Sequence, residues 1–252
     1  MIEGFNREKI LINKFREKLK QDSKPGVSII ACTNKPNYID NIFVNYERSN
    51  YPVKELLLII NNNKISLKDC NLKATNFNNV KIFQLDETCT LGECLNYGVE
   101  KSKYDYISKM DDDDYYGPNY LEDTMNVFKY TDAKVTGKLT YFVYFEDKNT
   151  LGIMCNNWEY KYVLSVAGGT ITAKKDVFDR VKFGNVSFGE DKLFLEACHK
   201  LGYRIFSSNK YNYVLNRHKN LEEHTWKIHS EDFIKHIIIV PVISDFTSIV
   251  SV

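Results

Sequence analysis

Four consecutive aspartates, Asp111-Asp112-Asp113-Asp114, are the residues of this 252-residue sequence that point most directly to chemistry. They follow DYISKM (105–110), a short apolar run typical of a buried strand. Neighbouring carboxylates repel one another, and a divalent cation relieves that repulsion most directly. In an extended chain Asp111 and Asp113 share one side, where oxygen ligands suit Mg²⁺ or Mn²⁺ and leave positions for substrate phosphates. The alternative is a solvated charged face.

A second acidic pair, Glu190-Asp191, opens a segment whose apolar spacing predicts a helix from Asp191 to Leu201. The positive end of a helix dipole favours negative charge in the first turn. The pair is therefore either an ordinary feature of a helix start or a source of a general base, and the helix pattern alone does not distinguish the two.

The elements around the first acidic run predict a doubly wound α/β sheet. Strand-like runs start about 25 residues apart, a spacing that fits right-handed βαβ crossovers. Such sheets bind ligands beyond the carboxyl ends of their strands, which is where the four aspartates fall. The predicted strands are VSIIACT (27–33), ELLLIINNN (55–63), NVKIFQL (79–85) and 105–110, and the predicted helices are 38–49, 91–102 and 120–130.

The second half of the sequence has a different pattern. KVTGKLTYFVYFED (134–147) alternates apolar and polar residues and predicts an antiparallel edge hairpin. AGGTITAKKDVF (167–178) and SFGEDKLFLEACHKLGYRIF (187–206) follow it. No linker or repeat divides the chain, so we expect a single domain.

Taken in order, these stretches resemble the family 2 glycosyltransferases, which have the GT-A fold. The resemblance covers about residues 26–215 and rests on VSIIACTNKPNYI, on LGECLNYGVEKSKYDYISKMDDDDYYGPNYLE, on the small residues of AGGTITAKKDVF and on FGEDKLFLEACHKLGYRI. It implies a mostly parallel sheet flanked by helices, with a small antiparallel acceptor-side portion. The implied parts of the domain are an N-terminal amphipathic helix (1–25), a nucleotide-sugar-binding half (26–130), an acceptor-side half (131–235) and an apolar tail (236–252).

The resemblance also implies roles for individual residues. Asp191, with Glu190, is the expected general base, and Asp113 is the expected metal ligand. The expected donor-binding residues are Thr33, Asn61, Asn62, Asn63, Asn96, Asp111 and Asp112. The three successive asparagines stand where the family usually has Asp-Asp-Gly-Ser, and an amide can still hydrogen-bond a uracil edge.

A histidine in the C-terminal loop completes the metal shell in some GT-A enzymes. The stretch RHKNLEEHTW contains His218 and His224, and His224 is the candidate ligand. A loop histidine that is merely exposed is the alternative.

The implied activity is inverting, metal-assisted transfer from a nucleotide-diphospho-sugar, expected to be UDP-linked, to a hydroxyl of a carbohydrate, glycolipid or peptide. One base without a carboxylate nucleophile implies a single displacement. A catalytically silent nucleotide-sugar- or carbohydrate-binding module is the alternative. A sugar-1-phosphate nucleotidyltransferase is disfavoured because CTNKPNY lacks the glycine-rich loop of that class. The net charge of +1 disfavours nucleic acid as a partner.

Composition and patterning set the expected surroundings. The hydrophobic content of 43% excludes disorder. Six cysteines without a C-x-x-C motif, and no visible signal peptide, predict reduced thiols in the cytoplasm. No apolar run approaches the ~20 residues of a membrane span. Peripheral membrane contact through the N-terminal helix stays open. For the tail, we rank core packing ahead of an oligomer contact or a membrane contact.

Overall fold

The computed structural model describes residues 2–21, 23–220, 233–240 and 245–252. The helices in these residues are α1 (Ile2–Lys18), α2 (Ile39–Arg48), α3 (Leu67–Ala74), α4 (Leu91–Lys101), α5 (Tyr120–Tyr130), α6 (Glu190–Lys200) and α7 (Thr247–Val250). The strands are β1 (Val27–Thr33), β2 (Lys54–Ile60), β3 (Val80–Gln84), β4 (Tyr106–Met110), β5 (Tyr115–Tyr116), β6 (Val135–Gly137), β7 (Tyr141–Phe145), β8 (Thr150–Met154), β9 (Lys161–Val163), β10 (Thr172–Lys174), β11 (Ile205–Ser207), β12 (Tyr213–Arg217) and β13 (Ile237–Val240).

The larger sheet has the strand order β3-β2-β1-β4-β10-β6-β11-β9. Its first four strands are parallel, with Val27 of β1 opposite Lys54 of β2 and Tyr106 of β4. Strands β10 and β9 run against their neighbours, and the others share one direction. The predicted α/β fold, a mostly parallel sheet flanked by helices, is confirmed.

Helices cover both faces of this sheet because alternate side chains of β1 point in opposite directions. Ile29 packs into the core cluster that holds Phe43 of α2, whereas Ile30 packs into the cluster that holds Leu95 of α4. Helix α4 approaches closely because Gly98 has no Cβ; one there would lie 2.6 Å from a methyl group of Ile30. The close packing fixes the edge of the sheet at which β1 and β4 end.

The hairpin predicted over 134–147 is wrong, because its two strands belong to different sheets. Strand β6 pairs with β10 and β11, whereas β7 pairs with β8 and β12 in a second sheet of order β13-β8-β7-β12-β5. Between them, Lys138 is fully buried, with its backbone N–H donating to Thr170 Oγ1 at 2.9 Å. Alternation marks strands, but long-range contacts such as this one choose their partners.

Helix α3 lies between β2 and β3, where the apolar pattern predicts no helix. Its signal is a capping residue: Ser66 Oγ accepts a hydrogen bond from the backbone N–H of Asp69 at 3.2 Å. Of its residues, Cys70 is the one that is buried. A helix with so little buried surface leaves almost no hydrophobic periodicity in the sequence.

The described parts of the apolar tail, residues 236–240 and 245–252, pack against the body of the protein. Strand β13 pairs antiparallel with β8, and Ile249 and Val250 of α7 join Phe5 and Ile12 of α1 in one core cluster. In the residues that the structure describes, no helix is long and apolar enough to cross a bilayer.

Candidate active site

A cavity of about 520 Å³ opens between the two sheets, at the carboxyl ends of β1 and β4. It is the place where a doubly wound sheet binds its ligand. Charged and glycine residues from both halves of the chain line it: Lys35, Lys109, Asp111, Asp112, Asp113, Gly168, Gly169, Gly189, Glu190, Asp191, Lys192 and Arg217. The structure therefore brings the two predicted acidic motifs, 80 residues apart in sequence, into one cavity.

The four aspartates have different surroundings. Asp114 is 1% exposed and does not line the cavity; its carboxylate accepts hydrogen bonds from Tyr213 Oη at 2.7 Å and from the backbone N–H of Asn216 at 3.0 Å. Asp114 thereby ties the end of β4 to β12. Asp111, Asp112 and Asp113 remain as the acidic wall of the cavity.

Asp112 and Asp113 are held close together in a poorly solvated place. Burial, with the charge of Asp113 adding to it, raises the pKa of Asp112 to about 7. Burial, with the charge of Asp111 adding to it, raises the pKa of Asp113 to about 6. The hydroxyl of Thr33 donates to Asp112 Oδ2 at 2.5 Å and opposes the shift at Asp112. Carboxylates in this state favour a neighbouring cation.

Asp111 is held by a buried lysine. Lys109 Nζ lies 2.5 Å from Asp111 Oδ1 and 3.7 Å from Glu190 Oε1, and Lys109 is 5% exposed. Burial by itself would lower the pKa of Lys109, but the charges of Asp111, Glu190 and Asp191 outweigh burial and raise it. Lys109 is therefore a fixed positive charge in the cavity wall.

Glu190 and Asp191 form the first turn of α6, as the sequence predicts. Gly189 precedes the helix with φ of +80°, a conformation that favours glycine. Glu190 is 5% exposed, and burial raises its pKa against the opposing effect of Lys109. Asp191 is less buried, and its Oδ1 accepts a hydrogen bond from the N–H of Lys192 at 2.7 Å.

Two successive glycines make room for carboxylates on both sides of the cavity. A Cβ on Gly168 would overlap Asp191 Oδ2, and a Cβ on Gly169 would lie 2.5 Å from Asp111 Oδ2. Gly169 also accepts a hydrogen bond at its carbonyl from Tyr116 Oη, which in turn accepts from the N–H of Asp111. Gly168 and Gly169 are therefore required by the close approach of Asp191 and Asp111.

His218 is the histidine that the structure places near the aspartates. Its Nε2 lies 3.7 Å from Asp113 Oδ2, its Nδ1 lies 2.9 Å from Glu146 Oε1, and its ring packs against Tyr38. His224, the predicted ligand, lies outside the described residues. Across the chain that the structure does describe, no three His, Cys, Asp or Glu side chains group to hold a metal by themselves.

The predicted donor-binding asparagines make local contacts at the same edge of the sheet, and none of them lines the cavity. Asn61 donates to the carbonyl of Cys89 at 3.3 Å, Asn62 donates to that of Asn34 at 2.7 Å, and Asn63 donates to Asp86 at 3.1 Å. These bonds join the loops that follow β1, β2 and β3. Thr33 is likewise behind the cavity wall, against Asp112.

Asn96 is engaged at both ends of its amide. Its Nδ2 donates to the carbonyl of Phe183 at 2.9 Å, and its Oδ1 accepts from the N–H of Phe183 at 3.0 Å. These two bonds fix α4 to the segment that precedes α6.

Lys35, Lys109 and His218 are residues of this site to which motif reasoning assigns no role. A signal for Lys109 is present in DYISKM, where one lysine stands in an otherwise apolar strand. His218 lies in RHKNLEEHTW, the stretch expected to supply a metal-binding histidine, but nothing local in the sequence separates it from His224, the histidine chosen there.

Comparisons with known proteins agree with this architecture. The sequence model described as "Glycosyl transferase family 2" matches residues 28–173, more than half of the chain. The matched stretch contains Asp111 to Asp113 and Gly168, and it ends before α6. No curated protein sequence matches the chain.

Several solved structures are similar to this chain at 16% sequence identity. A crystal structure of S. aureus TarS residues 1–349 in complex with UDP-GlcNAc has a TM-score of 0.61, over 83% of this chain and 64% of that one. TarS 1–349 alone has a TM-score of 0.56, over 76% of this chain and 60% of that one. A further crystal structure of S. aureus TarS has a TM-score of 0.55, over 76% of this chain and 36% of that one. The chain thus spans less than two thirds of the length of each, and the likeness establishes the fold.

Proposed function

The chain belongs to glycosyl transferase family 2, and on that basis we propose that it transfers a sugar from a nucleotide-diphospho-sugar to an acceptor hydroxyl. The observation that carries the proposal is the shared cavity, in which Asp113 after β4 and Asp191 at the start of α6 line the same space. Asp113 would act on the leaving diphosphate through a bound cation, and Asp191 would act on the acceptor hydroxyl. UDP is the proposed nucleotide, with support from the similar fold of the TarS structure that contains UDP-GlcNAc.

The donor set around Asp113 fits Mn²⁺ or Mg²⁺. A carboxylate and an imidazole, Asp113 and His218, would hold the ion, and diphosphate oxygens and water would complete its coordination. The raised pKa values of Asp112 and Asp113, which come first from burial and second from neighbouring carboxylates, fit this role, because a cation compensates negative charge in a poorly solvated place. When bound, the ion would neutralise charge that develops on the departing diphosphate.

Two cationic side chains stand beside the proposed diphosphate position. Lys35, after β1, and Arg217, at the end of β12, both line the cavity, and the charge of each acts on Asp113. Arg217 is 3% exposed, so its guanidinium is fixed by its surroundings. We assign both residues to phosphate binding, since preorganised cations stabilise a leaving phosphate.

Asp191 is the proposed general base. It accepts the proton of the acceptor hydroxyl as that oxygen attacks the anomeric carbon, and the bond to the diphosphate breaks in the same displacement. No second carboxylate is needed as a nucleophile, so the proposed stereochemical outcome is inversion. Glu190, beside Asp191, faces Lys109 and is assigned to holding the start of α6.

The acceptor is proposed to be a carbohydrate, glycolipid or peptide that enters from the side of α6 and of the segment 167–170. The chain is proposed to act as one domain in the cytoplasm, where its six free cysteines would stay reduced. An acceptor screen tests the proposed acceptor class, and localisation of the tagged protein tests the proposed cytoplasmic location.

A thermal-shift titration with UDP, GDP and CDP, each with Mn²⁺ and with EDTA, tests the donor site. A ligand that binds only the folded state raises the melting temperature by mass action. We expect one nucleotide, UDP, to stabilise the protein in the presence of Mn²⁺, and we expect Asp113→Ala to abolish that shift.

Asp191→Asn separates binding from chemistry. We expect this variant to keep the Mn²⁺-dependent nucleotide shift while transfer falls by about 100- to 10,000-fold, the usual contribution of a general base. A folded wild-type protein that no nucleotide stabilises would contradict the donor site and favour a silent carbohydrate-binding module.

A further inference from the structure

Lys109 connects the two sides of the cavity. Its ammonium contacts Asp111, which follows β4 on the donor side, at 2.5 Å, and Glu190, which opens α6 on the acceptor side, at 3.7 Å. Its backbone is fixed as well, since its N–H donates to the carbonyl of Ile171 at 2.8 Å. One side chain thus meets carboxylates that are 79 residues apart in sequence.

The burial of these groups makes the contacts specific. Lys109 and Glu190 are each 5% exposed, so solvent screens their attraction far less than that of a surface pair. A buried carboxylate that loses its cation becomes an uncompensated buried charge, and this is strongly unfavourable. The arrangement of Asp111 and of the first turn of α6 therefore depends on the ammonium.

We propose that Lys109 is a positioning residue that sets Asp111 and, through Glu190, the proposed base Asp191 in one arrangement for sugar transfer. It touches neither the reacting hydroxyl nor the anomeric carbon. Its contribution is to fix the distance between the donor-binding end of β4 and the base-bearing end of α6. This inference rests on the proposed function.

The contact between Lys109 and Asp111 also affects metal binding under this proposal. With one oxygen held by Lys109, Asp111 is compensated from within the protein, whereas Asp113 lies beside His218. Lys109 thereby leaves Asp113, rather than Asp111, available to a divalent cation. Without Lys109, the carboxylate of Asp111 would also be able to coordinate the ion. Mn²⁺ would then bind more tightly to the nucleotide-free protein.

The experiment compares Lys109→Met, Lys109→Arg and Lys138→Met. Lys138 is another buried lysine, whose Nζ donates to the carbonyl of Asn209, and it contacts no carboxylate of the cavity. We expect Lys109→Met to lower kcat by about 100-fold, as a misplacement near 1 Å does, with an acceptor KM within about threefold of wild type. Lys109→Arg should recover at least about tenfold of that loss, because a retained cation still compensates the buried carboxylates, and Lys138→Met should keep the wild-type kcat.

Two further readouts do not depend on turnover. Mn²⁺ binding to the nucleotide-free protein, followed by electron paramagnetic resonance, should tighten in Lys109→Met and stay unchanged in Lys138→Met. Urea unfolding should be measured for wild type, Lys109→Met, Glu190→Gln and the double variant. The changes in unfolding free energy of the two single variants should not add up to that of the double variant, because the two residues share one interaction.

The outcomes separate the positioning role from the proposed function. A folded Lys109→Met protein with wild-type kcat and wild-type Mn²⁺ affinity overturns the positioning role. If Lys109→Met does not fold, Glu190→Gln takes its place, and a wild-type kcat in that variant overturns the role too. Wild-type protein that transfers no sugar, with Lys109 and Glu190 still coupled in unfolding, overturns the function and leaves the ion-pair geometry standing.

Discussion

The backbone of Gly168 lies directly against the carboxylate of Asp191, and a Cβ at residue 168 would overlap Oδ2 of that side chain. Gly168 is therefore a glycine for steric reasons, since its backbone has no positive φ that would require one. The contact comes from two distant parts of the chain, the turn before β10 and the first turn of α6. It means that the position of the proposed base depends on the absence of a side chain elsewhere.

Gly168→Ala should displace Asp191 and lower kcat by about 100-fold, while the Mn²⁺-dependent nucleotide shift stays at its wild-type value. Gly169→Ala is the matched variant: its Cβ would press on Asp111 and on Tyr116, so nucleotide binding should weaken. Gly4→Ala, on α1 with open space around its Cα, controls for alanine itself. Wild-type turnover in Gly168→Ala would show that Asp191 need not keep this position.

His218→Ala should raise the Mn²⁺ concentration that gives half-maximal activity by about tenfold or more, because an imidazole beside Asp113 is removed. The measurement is a Mn²⁺ titration of transfer at saturating donor, repeated as a thermal shift with UDP. His199→Ala, on the exposed end of α6, should leave both curves unchanged. Identical Mn²⁺ curves for wild type and His218→Ala would remove His218 from the metal site.

Lys138 should give the protein a stability that increases with pH. Burial lowers the pKa of Lys138 to about 8, against the opposing attraction of Asp123 and Glu159, while the ordinary value is 10.5. Between these pH values the unfolded chain binds more protons than the folded one, so the free energy of unfolding rises with pH.

Urea unfolding of wild type and Lys138→Met between about pH 8 and pH 10 measures this effect. Tyrosines of the unfolded chain, with a pKa of about 10, also ionise toward the upper end of this range, but they do so in both proteins, so their effect cancels in the comparison. The wild-type protein should gain stability over the range relative to Lys138→Met. Parallel pH profiles for the two proteins would mean that Lys138 stays charged in its buried position.

Tyr213→Phe should destabilise the fold by about 1–3 kcal/mol, because Asp114 then loses a buried hydrogen-bond donor. In the wild-type protein Tyr213 Oη donates to Asp114 Oδ2 at 2.7 Å, and this bond holds the turn between β4 and β5 against β12. Chemical denaturation gives the difference. Tyr144→Phe, which loses a bond to Asn149 on the surface, should change stability by less than about 0.5 kcal/mol. Equal effects of the two substitutions would contradict a structural role for Asp114.

Much of the first half of the fold follows from the sequence. The strands expected at 27–33 and 105–110 are observed as Val27–Thr33 and Tyr106–Met110, and the helix expected at 120–130 is observed with those bounds. The two strands are buried on both faces and appear as short continuous apolar runs, whereas the apolar residues of the helix repeat at the helical period. The helix Leu67–Ala74 lacks such a stripe and leaves only a capping signal.

The sequence by itself determined the family, the fold class, and the two acidic motifs that supply Asp113 and Asp191. The acidic motifs and the individual elements are local properties, written in residue types and spacing over about 20 residues or fewer, and the family and fold class follow from the order of such segments along residues 26–215. Periodicity reports which face of an element is buried, and a carboxylate cluster after a strand reports its own charge. Neither depends on knowing what lies across the cavity.

Only the tertiary structure decided that Lys109 joins Asp111 to Glu190, that His218 lies beside Asp113, and that Gly168 leaves room for Asp191. It also decided that 134–147 is divided between two sheets, and that Asp114 bonds to Tyr213 of β12 instead of lining the cavity. Each of these is a contact between residues far apart in the chain. Such contacts are selected by the packing of the whole molecule, because local spacing is the same whichever partner a side chain finally meets.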